Sequence, residues 1–382
     1  MLPLVRSLIP PLLSLVFMMM ASGLFNTFVS IRLELEGYDP EVIGIVTSAL
    51  YVGILVGSLK IDRLIAKRGH IQSFVIFAGI LAFLSLAQGM WINPWYWSVL
   101  RFIGGICMAG VFIVIESWLL MQSSPQLRGG ILSIYLAIFY AALSIGQLLI
   151  NVSDPMSIYP FCIVAGLLLT SILPISVRKI SQPKIEETSR LKLTQLFRIS
   201  PLGLMGGVIS GMLLAAVYGL VPVYANEIGM SVSEIGTFMA VLIFGGFSLQ
   251  WPLGRLADKG ERRRVLNFAS FMSAIFGVII ALNSHSSNLL LGLAFLFGGF
   301  SFTLYPLSMA YACEKVQEGQ VVAATGGFVL SYGIGAILGP LLAPIAMDFF
   351  GPPGLFYFLA FISFVLGLIG LKRPFPVKTS DI

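Results

Sequence analysis

Charge is what this chain has least of. Only 10% of its 382 residues are Asp, Glu, Lys or Arg, against roughly 25% in an ordinary soluble domain, and this excludes a water-soluble globule. Histidine is rarer still, with His70 and His285 alone. His70 is expected in a basic loop and His285 in a short loop on the opposite side, so the two cannot meet at a zinc, haem or acid–base centre. The three cysteines, Cys107, Cys162 and Cys313, lie within or at the end of apolar runs and form no CxxC pair, which leaves neither a disulfide framework nor a metal site. A GxxxxGKS/T element for an ATP-driven pump is missing as well. No enzyme activity, cofactor or metal is therefore expected.

Apolar sequence is there in excess: 57% of residues are hydrophobic and the mean hydropathy is +0.95. A membrane helix takes about 20 mostly apolar residues, and six such stretches run from Leu8–Ile31 to Tyr159–Val177, with six more from Pro201–Tyr224 to Leu355–Leu371. The first is too long and too broken by proline for a cleaved signal peptide. The longest polar passage, Arg178 to Ser200, reads as a linker. The expected organisation is an all-α membrane protein of twelve helices in two six-helix bundles, residues 1–177 and 201–382, joined by residues 178–200. Of the 23 basic residues all but Arg32 and Arg101 fall on one side of this topology, whereas Glu34, Glu36, Asp39, Glu41, Asp154, Glu227, Glu234 and Asp348 mark the other. Lys and Arg accumulate on cytoplasmic loops, so both termini are expected in the cytoplasm. The formal net charge of +6 is then a topology signal with an affinity for anionic lipid headgroups, and not a nucleic-acid footprint.

The halves repeat. A shift of 192 positions lays Gly37 on Gly229, Gly44 on Gly236, Gly53 on Gly245 and Lys67 on Lys259, and near the fourth and tenth spans a shift of 194 lays Gly104-Gly105 on Gly298-Gly299. A six-span displacement preserves topology, which is the arrangement of two-bundle secondary transporters that bind solute at the membrane midplane between parallel halves.

The loop after the eighth span, Gly254-Arg-Leu-Ala-Asp258-Lys259-Gly260-Glu261-Arg262-Arg263-Arg264, resembles the GxLaDRxGRR loop motif of the major facilitator superfamily, with Glu261 where the motif carries glycine. The first-half copy, Asp62-Arg63-Leu-Ile-Ala66-Lys67-Arg68-Gly69-His70, has Ala66 at the register of the acid. Arg101, Gly105 and Ala109 resemble the family's RxxxGxxxA helix, and Arg128-Gly129 its RG pair. Gly335 to Gly339-Pro340 resembles the GxxxGP element, which in the family's antiporters belongs on span five; span five here reads Ala142-Leu-Ser-Ile-Gly146-Gln147. The Glu116-Ser117-Trp118-Leu119 run, Gly146-Gln147, Pro222-Val-Tyr-Ala225 and Gln250-Trp-Pro-Leu-Gly254-Arg255 are similar to the YcaD-like bacterial branch of that superfamily. The resemblance covers nearly the whole chain. It implies a proton-linked transporter of the bacterial inner membrane, working by alternating access on a small solute; a receptor or scaffold on the same fold, or an uncoupled facilitator, is the alternative reading, and a monomer is expected.

Two charges stand inside spans. Trp95 and Trp97 mark an interface, so Arg101 lies about one turn inside the hydrocarbon, where a charge costs several kcal/mol unless it snorkels or pairs; both a snorkelling role and a cavity role fit. Glu116 lies ~22 Å further along the same helix at ~1.5 Å per residue. It either pairs with Lys67 or Arg68 to hold the cytoplasmic face shut, or serves as a protonatable carboxylate facing the cavity. A cytoplasmic gate network is expected from Asp258, Arg262 and Glu314, with Gly254, Lys259 and Arg263 in the same motif and Asp62, Arg63, Arg68 and Gly69 in its first-half counterpart. Asn26, Arg32, Gln147, Tyr218 and Gln250 are the further cavity candidates; Gln147 and Gln250 serve equally as interhelical hydrogen-bond partners.

Overall fold

The computed structural model describes residues 2–121, 128–176, 197, 199–283, 288–314 and 321–371. The first half comprises α1 (Leu2–Leu35), α2 (Pro40–Lys60), the short α3 (Asp62–Arg68), α4 (His70–Met90), α5 (Pro94–Met121), α6 (Arg128–Leu148), α7 (Tyr159–Thr170) and α8 (Ile172–Ser176). The second comprises α9 (Pro201–Glu227), α10 (Val232–Lys259), α11 (Arg262–Leu282), α12 (Asn288–Glu314), α13 (Val321–Phe350) and α14 (Gly354–Leu371). Among the described residues, twelve spans are long and apolar enough to cross a membrane, with α7 and α8 together making the sixth. That span breaks at Ser171, whose side chain turns back to donate to the Leu168 carbonyl at 2.6 Å. Most of the expected linker, residues 177–196, lies outside the described residues, as do His285 and Lys315.

The helices gather into two compact units, residues 1–186 with 229–240, and residues 187–228 with 241–382. In the first, α1 packs on α6 and α7, α2 on α5, and α4 on α5 and α7; in the second, α9 packs on α12 and α13, and α11 on α12 and α14. Lipid tails are as apolar as leucine, so such contacts rest on close backbone approach between small residues. Glycine supplies it in both units. A methyl group on Gly53 of α2 would overlap the Phe102 carbonyl of α5, and one on Gly105 would overlap that of Leu50. Gly245 and Gly298 repeat this against Phe295 and Leu242. Gly23 and Gly146 bind α1 to α6 against Leu143 and Met20, and Gly211 and Gly335 bind α9 to α13 against Tyr332 and Val208.

These contacts correct two registers. Gly105 corresponds to Gly298, 193 positions on, so the glycine doublets do not superimpose residue on residue: the contact glycine is the second of one pair and the first of the other. Likewise Gly146 corresponds to Gly335 and not to Gly339, which makes its own contact with Met212. The turn glycines follow the expected shift of 192. Gly37 and Gly229 have φ of 84° and 88°, in the left-handed region that L side chains avoid. Gly69, ending α3, is likewise at φ 80°, and its register mate Glu261 adopts φ −86° and ψ 107°, a conformation open to any residue. The second-half loop thus replaces a glycine turn with an extended residue whose carboxylate accepts from Arg264 Nε at 2.5 Å.

Candidate functional site

Arg101 is 5% exposed on α5. Its Nη1 donates to Asn26 Oδ1 at 2.8 Å and its Nη2 to the Phe25 carbonyl at 3.2 Å, while the guanidinium stands 4.7 Å from the Phe25 ring centroid. Asn26 and Arg101 therefore come together, and Arg101 does not snorkel. Both line a cavity inside the first unit with Ser22, Gln88 and a mostly leucine wall. Gln88, which the sequence did not single out, is 1% exposed; its Oε1 and Arg101 Nε are both buried without a partner.

Toward the basic end of α5, Glu116 is exposed and its Oε1 accepts from the Tyr135 hydroxyl of α6 at 2.9 Å. Among the described residues no cation pairs with this carboxylate; Lys67 and Arg68 have exposed side chains, so the loop pairing expected as one alternative is not formed. Tyr135 is 3% exposed and was not foreseen, because nothing in the order of residues gives the rotational phase of α6. His70 is a correction. Rather than a loop residue it opens α4, is 1% exposed, and lies 3.0 Å from Ser117 Oγ through Nε2 and edge-on to Trp118. The side chains of Asp62 and Arg63 lie outside the described residues, as does that of Arg128.

Two other cavity candidates are engaged within the first unit. Gln147 is fully buried and joins α6 to α1 through Thr27, whose hydroxyl donates to Oε1 at 2.5 Å. Arg32 lies away from the Arg101 cavity, at the acidic end of α1. There its Nη2 meets Glu36 at 2.6 Å and its Nη1 the Pro155 carbonyl at 2.9 Å, so it clasps the turn between α6 and α7.

In the second unit a network of charges stands at the basic end. Arg262 Nη2 lies 3.2 Å from Asp258, its Nε 3.9 Å from Glu314, and its Nη1 donates to the Ala310 carbonyl of α12 at 3.2 Å. Arg263 Nε donates to the Gly370 carbonyl at 2.6 Å, where the last turn of α14 leaves a carbonyl free and a cation is favoured. The two arginines tie the start of α11 to the ends of α12 and α14. Lys259 is exposed and a methyl on Gly254 would meet open space. Tyr218 meets the Phe302 ring edge-on at 5.7 Å, and Gln250 is partly buried. A hydroxyl chain, Ser301 to Ser273 at 2.8 Å and Ser273 to Ser363 at 3.1 Å, fills the interior of α11, α12 and α14.

The model of the Major Facilitator Superfamily matches residues 12–260 and 203–381. The chain belongs to that superfamily. Relatives described as the uncharacterized MFS-type transporter YcaD, from Escherichia fergusonii strain ATCC 35469 and from Escherichia coli strain K12 / DH10B, are 35% identical over 363 residues, 94% of each chain. Among solved structures, a D-xylose–proton symporter superposes with a TM-score of 0.77 at 14% identity, covering 97% of this chain and 98% of that one. The nucleoside transporter NupG gives 0.75 at 12% identity, covering 95% and 98%. At such identities these structures speak for the fold alone. The chain is a multi-pass membrane transporter.

Proposed function

We propose that this transporter moves a small solute by alternating access in a bacterial inner membrane, with its basic face in the cytoplasm, and that Glu116 couples the movement to protons. The observation that carries this reading is the state of the Glu116 carboxylate: within a span, hydrogen-bonded by Tyr135, and paired with no cation among the described residues. A carboxylate locked to a loop cation stays charged throughout a cycle. One held by a neutral phenol can take a proton when the site faces one side and release it when the site faces the other.

Glu116→Gln fixes the protonated state. In proteoliposomes this variant should exchange solute between equal pools and fail to accumulate it against a gradient when a pH difference is imposed, with the solute first found by comparing compounds retained by cells with and without the protein. Full gradient-driven accumulation by the variant would remove Glu116 from the coupling step.

A further inference from the structure

The last turns of α10 carry two cations without an acid. From Arg255 to Arg264 the chain has five bases and two acids, and both acids are taken, Asp258 by Arg262 and Glu261 by Arg264. Arg255 and Lys259 are exposed and, among the described residues, form no ion pair. Arg255 is nonetheless held in place: its guanidinium stacks 3.9 Å from the centroid of the Trp251 ring, one turn back on the same helix. Stacking occupies the face of a guanidinium and leaves its N–H edge uncovered, the edge that grips a phosphate through two parallel hydrogen bonds. Lys259 follows one turn further on that face. The first-half copy lacks this arrangement, because Leu59 stands where Trp251 does at the register of 192 positions that pairs Lys67 with Lys259.

Depth and surroundings decide which phosphate fits. With 28 residues, α10 is ~42 Å long at ~1.5 Å per residue, against ~30 Å of hydrocarbon. Arg255 and Lys259, in its last two turns, stand at the headgroup boundary, and Trp251 lies a turn deeper. Below the cations this side of the helix offers bare apolar surface: Trp251 is 65% exposed, Leu256 56% and Phe244, two turns further in, 48%. A soluble anion makes no use of that surface, whereas an acyl chain covers it. We infer that the Trp251–Arg255–Lys259 face binds the phosphate of an anionic phospholipid, with an acyl chain on Trp251 and Phe244. A zwitterionic lipid brings an ammonium of its own, which Lys259 repels. The site involves neither the solute nor Glu116, so it stands or falls separately from the coupling step.

The test uses the full-length protein in phosphatidylethanolamine vesicles doped with phosphatidylglycerol brominated on its acyl chains or, in parallel, with brominated phosphatidylethanolamine. Bromine quenches indole fluorescence at contact, and the Trp251 signal is the difference between wild type and Trp251→Phe. Brominated phosphatidylglycerol should quench that signal at about one-tenth of the mole fraction that brominated phosphatidylethanolamine requires. Arg255→Gln should erase the preference. Arg264→Gln removes the same charge from a side chain that is 85% exposed and paired with Glu261, and should keep it. Excess inorganic phosphate should leave the quenching in place. Equal or absent quenching by the two lipids, equal loss of preference in Arg255→Gln and Arg264→Gln, or displacement by inorganic phosphate overturns the proposal; the last result would make the face a site for a soluble anion.

Discussion

At four places where a span of the first unit carries a polar side chain, the second has an apolar one at the matching position. The glycine contacts fix the correspondence: 188 positions between α1 and α9, 193 between α5 and α12, and 189 between α6 and α13. On those registers Asn26 corresponds to Leu214, Arg101 to Ala294, Glu116 to Met309 and Gln147 to Ala336. The reverse also holds. The hydroxyl chain of the second unit has Ser273 and Ser301 where α4 and α5 have Leu81 and Met108. The repeat therefore preserves the scaffold and not the chemistry: one set of backbone contacts carries a half with charge inside its spans and a half whose interior holds neutral hydroxyls and rings.

The scaffold side of this comparison breaks most severely. Gly105→Leu and Gly298→Leu each drive a side chain into a carbonyl of the facing helix, and overpacking of this kind typically costs 1–3 kcal/mol or more. Both should abolish the monodisperse folded peak in detergent size-exclusion chromatography, and to the same degree. Gly254→Ala and Gly292→Ala, whose added methyl meets nothing, should leave it intact. A large difference between Gly105→Leu and Gly298→Leu would mean that the halves do not share their contact scheme.

The chemical side is sharpened at Tyr135. Its hydroxyl bonds a carboxylate, and a hydrogen bond to a charged group is worth about 1.5–3 kcal/mol. Tyr135→Phe should lower proton-driven accumulation about tenfold, and adding it to Glu116→Gln should change nothing further, because both act on one interaction. Independent, additive losses would separate the tyrosine from the coupling step.

In the neutral half, Ser273→Ala removes the middle hydroxyl of three. Interhelical hydrogen bonds in membranes average about 0.6 kcal/mol, so the thermal midpoint should fall by a few degrees with transport retained. A drop as large as that of the glycine variants would show the hydroxyl chain to be part of the scaffold rather than of the local chemistry.

The sequence made the spans legible because hydrophobic length survives any rotation of a helix, and it made the positive-φ glycines legible because turns have a local signature. It did not make the facing partners legible. A helix apolar on all sides carries no mark of its phase, so Tyr135 beneath Glu116 and Gln88 beside Arg101 went unseen, and His70 was read as a loop residue when it lies under Trp118. The repeat register slipped by one residue for the same reason: a doublet such as Gly104-Gly105 does not say which glycine touches the neighbour. Asp258, Arg262 and Glu314 were easier, since two of them sit four apart at the end of one helix and the start of the next, where backbone direction is nearly dictated.

The smallest effect is expected at that basic end. Asp258 is 71% exposed and Arg262 32%, and Glu314 is 3.9 Å away, so solvent screens each pair and neither contributes more than ~1 kcal/mol. Yet a transporter cycles between conformations close in free energy, and ~1 kcal/mol shifts such a balance about fivefold. Arg262 also donates to the Ala310 carbonyl, a bond that survives the loss of either acid and keeps the helix ends together. Asp258→Asn should therefore leave the thermal midpoint within about a degree of wild type and change the transport rate by up to fivefold. Labelling of single cysteines placed on either face should shift in the same sense. Because ion pairs weaken with salt, raising ionic strength should reproduce part of that change in the wild type and less in the variant, which keeps only the Arg262–Glu314 pair. Unchanged rate and labelling in Asp258→Asn would reduce the Asp258–Arg262 pair to a solvated contact without effect on the cycle.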